Sequence, residues 1–175
     1  MLPTFHISKA TTADIDALVT LVNSAYRGES SKQGWTTEAD LLDGSRTDAA
    51  TLLLEMQNPN QQFLKAVDPL NTIIGCVSLV KKDTCLYLGM LTVQPTIQAK
   101  GIGKALLDAA ETTAIALGLN TIEMTVISVR TNLIDWYIRK GYQLTGETLP
   151  FPTDPKFGIQ KQALMFCVLR KKLHN

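Results

Sequence analysis

Seven residues, Gln98-Ala99-Lys100-Gly101-Ile102-Gly103-Lys104, carry the first sign of chemistry in this chain, standing between a strand-like run, Cys85 to Val93, and a long amphipathic stretch, Ile102 to Leu117. A glycine-rich turn that feeds a helix is an anion cradle. Glycine lets the backbone approach a ligand closely, the first N–H groups of the helix have no partner within it, and the helix dipole favours negative charge at that end. The expected ligand is a phosphate or pyrophosphate. Two common nucleotide motifs do not fit the spacing. A P-loop needs a glycine five residues before its Gly-Lys pair and a Ser or Thr after it, where this chain has Gln98 and Ala105. A dinucleotide fingerprint needs a third glycine three residues after Gly103, where Leu106 stands.

What remains, Gln-x-x-Gly-x-Gly, resembles the pyrophosphate loop of the GNAT family of N-acetyltransferases, which lies between that family's fourth strand and third helix. Gly89-Met90-Leu91-Thr92-Val93-Gln94-Pro95 is similar to that strand and its following proline, and Tyr137-Ile138-Arg139-Lys140-Gly141-Tyr142 is similar to the family's late Tyr-x-x-x-Gly-Phe/Tyr element. The resemblance covers about Phe5 to Arg170, its specific part Tyr87 to Tyr142. Gly34-Trp35-Thr36-Thr37-Glu38 also resembles a segment of one uncharacterised subgroup. The implied fold is α/β (α+β): a central mixed, mostly antiparallel twisted sheet of about seven strands flanked by helices, here as one domain over residues 1–175.

The implied chemistry is attack of an amine on the thioester carbonyl of acetyl-coenzyme A, and it places four demands on the chain. The backbone of Gln98, Ala99, Lys100, Gly101, Ile102, Gly103 and Lys104 is expected to hold the pyrophosphate. Backbone N–H groups of the Met90–Val93 stretch, Leu91 first and Val93 beside it, are expected to polarise the carbonyl, with Gly89 supplying a bulge. Tyr137 matches the tyrosine that returns a proton to the departing thiolate, for which its pKa near 10 suits it. An asparagine seven residues before that tyrosine often contacts the pantetheine arm, but Arg130 fills the place and Asn132 is the expected substitute. The glutamate that many relatives carry on the fourth strand is missing, so Glu123, Glu38 or Glu29 is the candidate base, with water as the alternative. Glu29, Trp35, Glu38, Arg46 and Phe151 are expected to form the acceptor wall. The acceptor is read as an amine of a small molecule or a peptide. The alternative is a sensor module that binds an acyl thioester without turning it over.

Elements must position these groups, and the patterning supplies them. Phe5 to Ser8 alternates as a strand, and Thr11 to Asp14 caps a helix with apolar face Ile15, Leu18, Val19 and Val22. A short helix is expected from Thr36 to Leu42 and another from Asp48 to about Gln57. Three strands follow, Gln62 to Val67, Ile73 to Val80 and Thr84 to Val93, joined by short turns. Ile102 to Leu117 places apolar residues at 102, 106, 107, 110, 114 and 117, one face of a helix. Asn120 to Ile127 reads as a strand, Leu133 to Arg139 as a helix, and Tyr142 to Glu147 and Ala163 to Leu169 as the last strands, with Pro150, Pro152 and Pro155 making the connection a loop.

Bulk properties set the remaining bounds. With 175 residues the chain can bury a substantial core, and 17 basic against 16 acidic residues give no sign of a nucleic-acid surface. Cys76, Cys85 and Cys167 all lie in apolar runs whose spacing suits neither disulfides nor a metal site, so core thiols in a reducing, cytoplasmic setting are expected. No run is long and apolar enough to span a membrane. No metal, nucleic acid or membrane is expected as a partner, and the oligomeric state is left as monomer or homodimer.

Overall fold

Alternating apolar and polar residues build one central sheet with a core on each face. A computed structural model describes residues 4–98 and 100–174 and, within a helix, leaves the Glu29 side chain aside. In chain order the elements are β1 (His6–Lys9), α1 (Ile15–Tyr26), α2 (Gly28–Ser31), β2 (Leu42–Asp43), α3 (Ala49–Gln57), β3 (Gln61–Val67), β4 (Ile73–Lys81) and β5 (Leu86–Val93). Then follow α4 (Ile102–Ala116), β6 (Thr121–Ile127), α5 (Thr131–Arg139), β7 (Gln143–Pro150), β8 (Ile159–Gln160) and β9 (Met165–Lys172). Seven strands form the sheet in the order β1-β3-β4-β5-β6-β9-β7. Neighbours run antiparallel except β5 and β6, which are parallel and joined through α4.

The pleat explains the two cores. Phe63, Cys76 and Met90 pack with Leu18, Val22 and Leu52 of α1 and α3. Leu64, Val77 and Leu88 pack on the opposite face with Leu106, Ala110 and Tyr137 of α4 and α5. The α4 stripe read from sequence is buried at Ile102, Leu106, Leu107, Ala110 and Ala114. Asp48 caps α3 by accepting from the Thr51 N–H at 2.8 Å.

Two irregularities in β5 matter most. β4 pairs Ser78 with Gly89 and Cys76 with Thr92, skipping Met90 and Leu91, so β5 bulges there. The left-handed residue in the bulge is Met90, at φ +52°, whereas Gly89 lies outside that region, which corrects the expected role of Gly89. Thr92 Oγ1 donates to the Met90 carbonyl at 3.0 Å and closes the bulge. β5 also leaves β6 early. Their register holds only Leu86↔Ile122 and Tyr87↔Glu123, with the Tyr87 hydroxyl 2.7 Å from Thr125 Oγ1 just beyond. Past that point the two parallel strands part.

The expected helix from Thr36 to Leu42 is a single turn, in which the N–H groups of Leu41 and Leu42 both donate to Glu38 O. The chain then enters β2, which pairs with β8, so the early segment is clipped to the late loop. Gly158 allows that contact. It sits at φ +112°, and a Cβ there would meet Arg27 Nη1 at 2.6 Å.

Candidate active site

Where β5 and β6 part, a cavity of about 520 Å³ opens. Three chain segments line it: Leu91, Thr92 and Val93 of β5; Gln98, Gly101, Gly103 and Lys104 at the start of α4; and Leu133, Trp136, Tyr137, Arg139 and Lys140 along and just beyond α5. Tyr26, Trp35 and Thr36 close its far end, with Arg130 beside them. Among the described residues its wall carries four cations, Lys104, Arg130, Arg139 and Lys140, and no acid or histidine.

The α4 end has the form of an open anion cradle. Gly101 takes the N-cap position at φ +88°, which disfavours any residue with a Cβ, and no side chain caps the helix. A Cβ at Gly101 would meet nothing within 4 Å, so the space in front of the turn is open. At Gly103 it would meet Trp136 at 3.3 Å, and α5 therefore packs close above the first turn. The N–H groups of Ile102, Gly103 and Lys104 precede the helix ladder. Ile102 anchors the turn with its side chain fully buried. Lys100 is exposed and outside the cavity wall, and Ala99 lies outside the described residues.

Gln98 has a further duty. Its Nε2 donates to the Val93 carbonyl at 3.1 Å while its Oε1 accepts from the Trp35 N–H at 2.9 Å. One side chain thus ties the end of β5 to the Trp35 segment. Gly34 makes room for it, since a Cβ there would lie 2.2 Å from Gln98 Oε1. Trp35 in turn leans on Trp136, with ring centroids 6.2 Å apart.

At the bulge, Leu91 lies outside the paired register on both sides, because β4 skips it and β6 has already left. The Tyr26 hydroxyl donates to the Leu91 carbonyl at 2.7 Å and so fixes the orientation of that peptide. Burial pushes the Tyr26 phenol up to about 12 and raises Tyr137 well above its usual value, with the neighbouring Arg130 charge opposing the Tyr137 shift. Both phenols are protonated throughout the neutral range.

The remaining expected residues fall elsewhere. Glu38 is buried behind the wall, its Oε1 3.0 Å from Arg27 Nε and its Oε2 2.8 Å from Arg130 Nη1. Glu123 pairs with Arg170 at 2.8 Å and does not line the cavity. Asn132 is exposed and does not line the cavity, while Arg130 occupies the wall. Phe151 packs on Phe166 in a separate core, with centroids 5.1 Å apart, and Arg46 stacks over the Tyr26 ring at 5.4 Å without reaching the cavity. The Glu29 side chain is outside the described residues. Tyr26, by contrast, joins the site without having been singled out. Its signal was available, because it follows Val22 by four residues on the buried stripe of α1.

The chain matches the family model described as Acetyltransferase (GNAT) family over residues 17–142. Among curated proteins none matches it by sequence. Solved structures share the fold at low identity. The PaiA N-acetyltransferase of Thermoplasma acidophilum, in complex with coenzyme A, is 21% identical, with TM-score 0.73 over 97% of this chain and 99% of that one. The ribosomal-protein-S18-alanine N-acetyltransferase of Escherichia coli is 14% identical, with TM-score 0.72 over 98% and 96%. The smu.2055 protein of Streptococcus mutans UA159 is 18% identical, with TM-score 0.74 over 97% and 99%.

Proposed function

The chain belongs to the GNAT acetyltransferase family, and on that premise we propose that it transfers the acetyl group of acetyl-coenzyme A directly to an amine of a small molecule or peptide. One observation carries the reading: the β5 bulge leaves Leu91 out of the paired register, in the wall of a cavity that also holds Tyr137 and the uncapped start of α4. The acyl-donor substrate lies along this cavity, its pyrophosphate at Gly101 to Lys104, its thioester carbonyl at Leu91. The cationic rim suits a polyanionic donor.

The reaction then needs few groups. The amine lone pair attacks the carbonyl carbon, and the electron pair driven onto oxygen is held by the Leu91 N–H, a preorganised donor worth on the order of 3 kcal/mol. The C–S bond breaks, and Tyr137 gives its proton to the leaving thiolate. The new amide nitrogen sheds one proton through water, since no acid among the described residues lines the cavity, and the phenol is restored. Acetyl-coenzyme A and amine become free thiol and amide with no covalent enzyme adduct.

Thiol release from acetyl-coenzyme A across an amine panel tests this. The native chain should exceed background hydrolysis with at least one amine, and Tyr137→Phe should lower kcat by roughly a hundredfold. Release at the hydrolytic rate with every amine would leave a non-catalytic acyl-thioester sensor as the surviving reading.

A further inference from the structure

Arg130 sits immediately before α5, and its side chain is only 9% exposed. Nη1 donates to Glu38 Oε2 at 2.8 Å and Nη2 to Thr36 Oγ1 at 2.6 Å, but Nε is buried with no partner among the described residues. A charged donor removed from water and left unmatched is costly, and buried donors are as a rule matched. This one belongs to a residue of the cavity wall.

The charge around it is unmatched as well. Glu38 also pairs with Arg27, whose side chain is 5% exposed, so two buried guanidiniums share one carboxylate and a positive charge is left over. Among the described residues no other acid pairs with either arginine. Buried charge is tolerated where a counter-charge completes it. The excess sits beside the reaction centre, because the Arg130 guanidinium carbon is 5.9 Å from the centroid of the same Tyr26 ring whose hydroxyl holds Leu91. With Nη1 and Nη2 each already holding one partner, the guanidinium suits one further planar anion better than a phosphate needing several donors.

We propose that the acceptor is an amino carboxylate, its carboxylate paired with Arg130 and its amine directed at the Leu91 bulge. The assignment rests on the acetyltransferase reading above and narrows its substrate class. Arg130 is then the specificity-determining residue, at the position where an asparagine is expected to serve the donor.

The test sets α-, β- and γ-amino acids each beside its own carboxamide, with acetyl-coenzyme A and the full chain. At least one acid should exceed its amide in kcat/KM by roughly ten- to a hundredfold, although the amide carries the more easily deprotonated amine. Arg130→Gln should bring that ratio near one, chiefly through KM, while acetyl-coenzyme A still binds by calorimetry. Arg130→Met, which also leaves Glu38 its pair with Arg27, repeats the measurement if Arg130→Gln does not fold. An acid-to-amide ratio near one in the native chain overturns the proposal. So does a ratio that persists in the variant, or an Arg130→Gln defect confined to acetyl-coenzyme A affinity, which would give the guanidinium to the donor. Should no amine be acetylated, the acetyltransferase reading fails first and thermal shift decides the carboxylate site. With coenzyme A present, a rise in Tm for the acids alone sustains the site, and equal or absent shifts for acids and amides remove it.

Discussion

Glu38 accepts from Arg27 at one oxygen and from Arg130 at the other, and it does not line the cavity. Its work is to hold two buried guanidiniums together. Removing one member of such a cluster strands the rest, at a cost of about 3–5 kcal/mol. Glu38→Ala should therefore lower Tm by on the order of 10 °C in a chain of this size, measured by calorimetry. A Tm within a degree or two of the native chain would mean that the cluster does not form. The family resemblance pointed to Tyr137, Gln98 and the two glycines through short local motifs, and the fold brings them to one cavity. Sequence spacing could not anticipate Arg27 or Arg130 as partners of Glu38, since residues 11 and 92 positions away meet only through the fold.

Among the elements, the seven strands of the main sheet and α4 were legible because periodicity reports which face is buried; α4 ends one residue short of the expected Leu117, β7 runs on through Pro150, which was expected in the loop, and β2 and β8 were not expected. The segment from Thr36 to Leu42 was not legible. Its Thr-Thr-Glu start imitates a helix cap, yet Arg130 takes Thr36 and Glu38, and β8 takes Leu42, so tertiary partners replace the helical ones. The β5 bulge was legible in place but not in residue. Gly89→Ala should change stability by less than about 0.5 kcal/mol, because the new Cβ makes only an ordinary contact with Tyr87 at 3.7 Å. Gly34→Ala is the contrasting case. Its Cβ would displace the Gln98 amide, freeing both the Val93 carbonyl and the Trp35 N–H, with an expected loss of about 1–3 kcal/mol by urea unfolding. The reverse ranking of the two variants would contradict this account of the strand and the strap beside it.

At the scale of the whole molecule, burial sets the alkaline limit of stability. Tyr26 is raised from 10.0 to about 12 and Cys76 from 9.0 to about 12, and burial raises Tyr137 and Tyr142 as well. The native chain keeps protons that the unfolded chain releases, so this stability is complete below about pH 9 and is lost as pH climbs through the raised values. The urea midpoint should be lower at about pH 11 than at neutral pH, and an equal midpoint would contradict the burial of these groups. A consequence also follows from Gln98, which joins the end of β5 to Trp35 while Trp35 rests on α5. A donor that draws the Gln98–Lys104 turn toward itself shifts the wall on which the acceptor rests. The two binding equilibria are then thermodynamically linked, and whatever factor the donor adds to acceptor affinity, the acceptor returns to the donor.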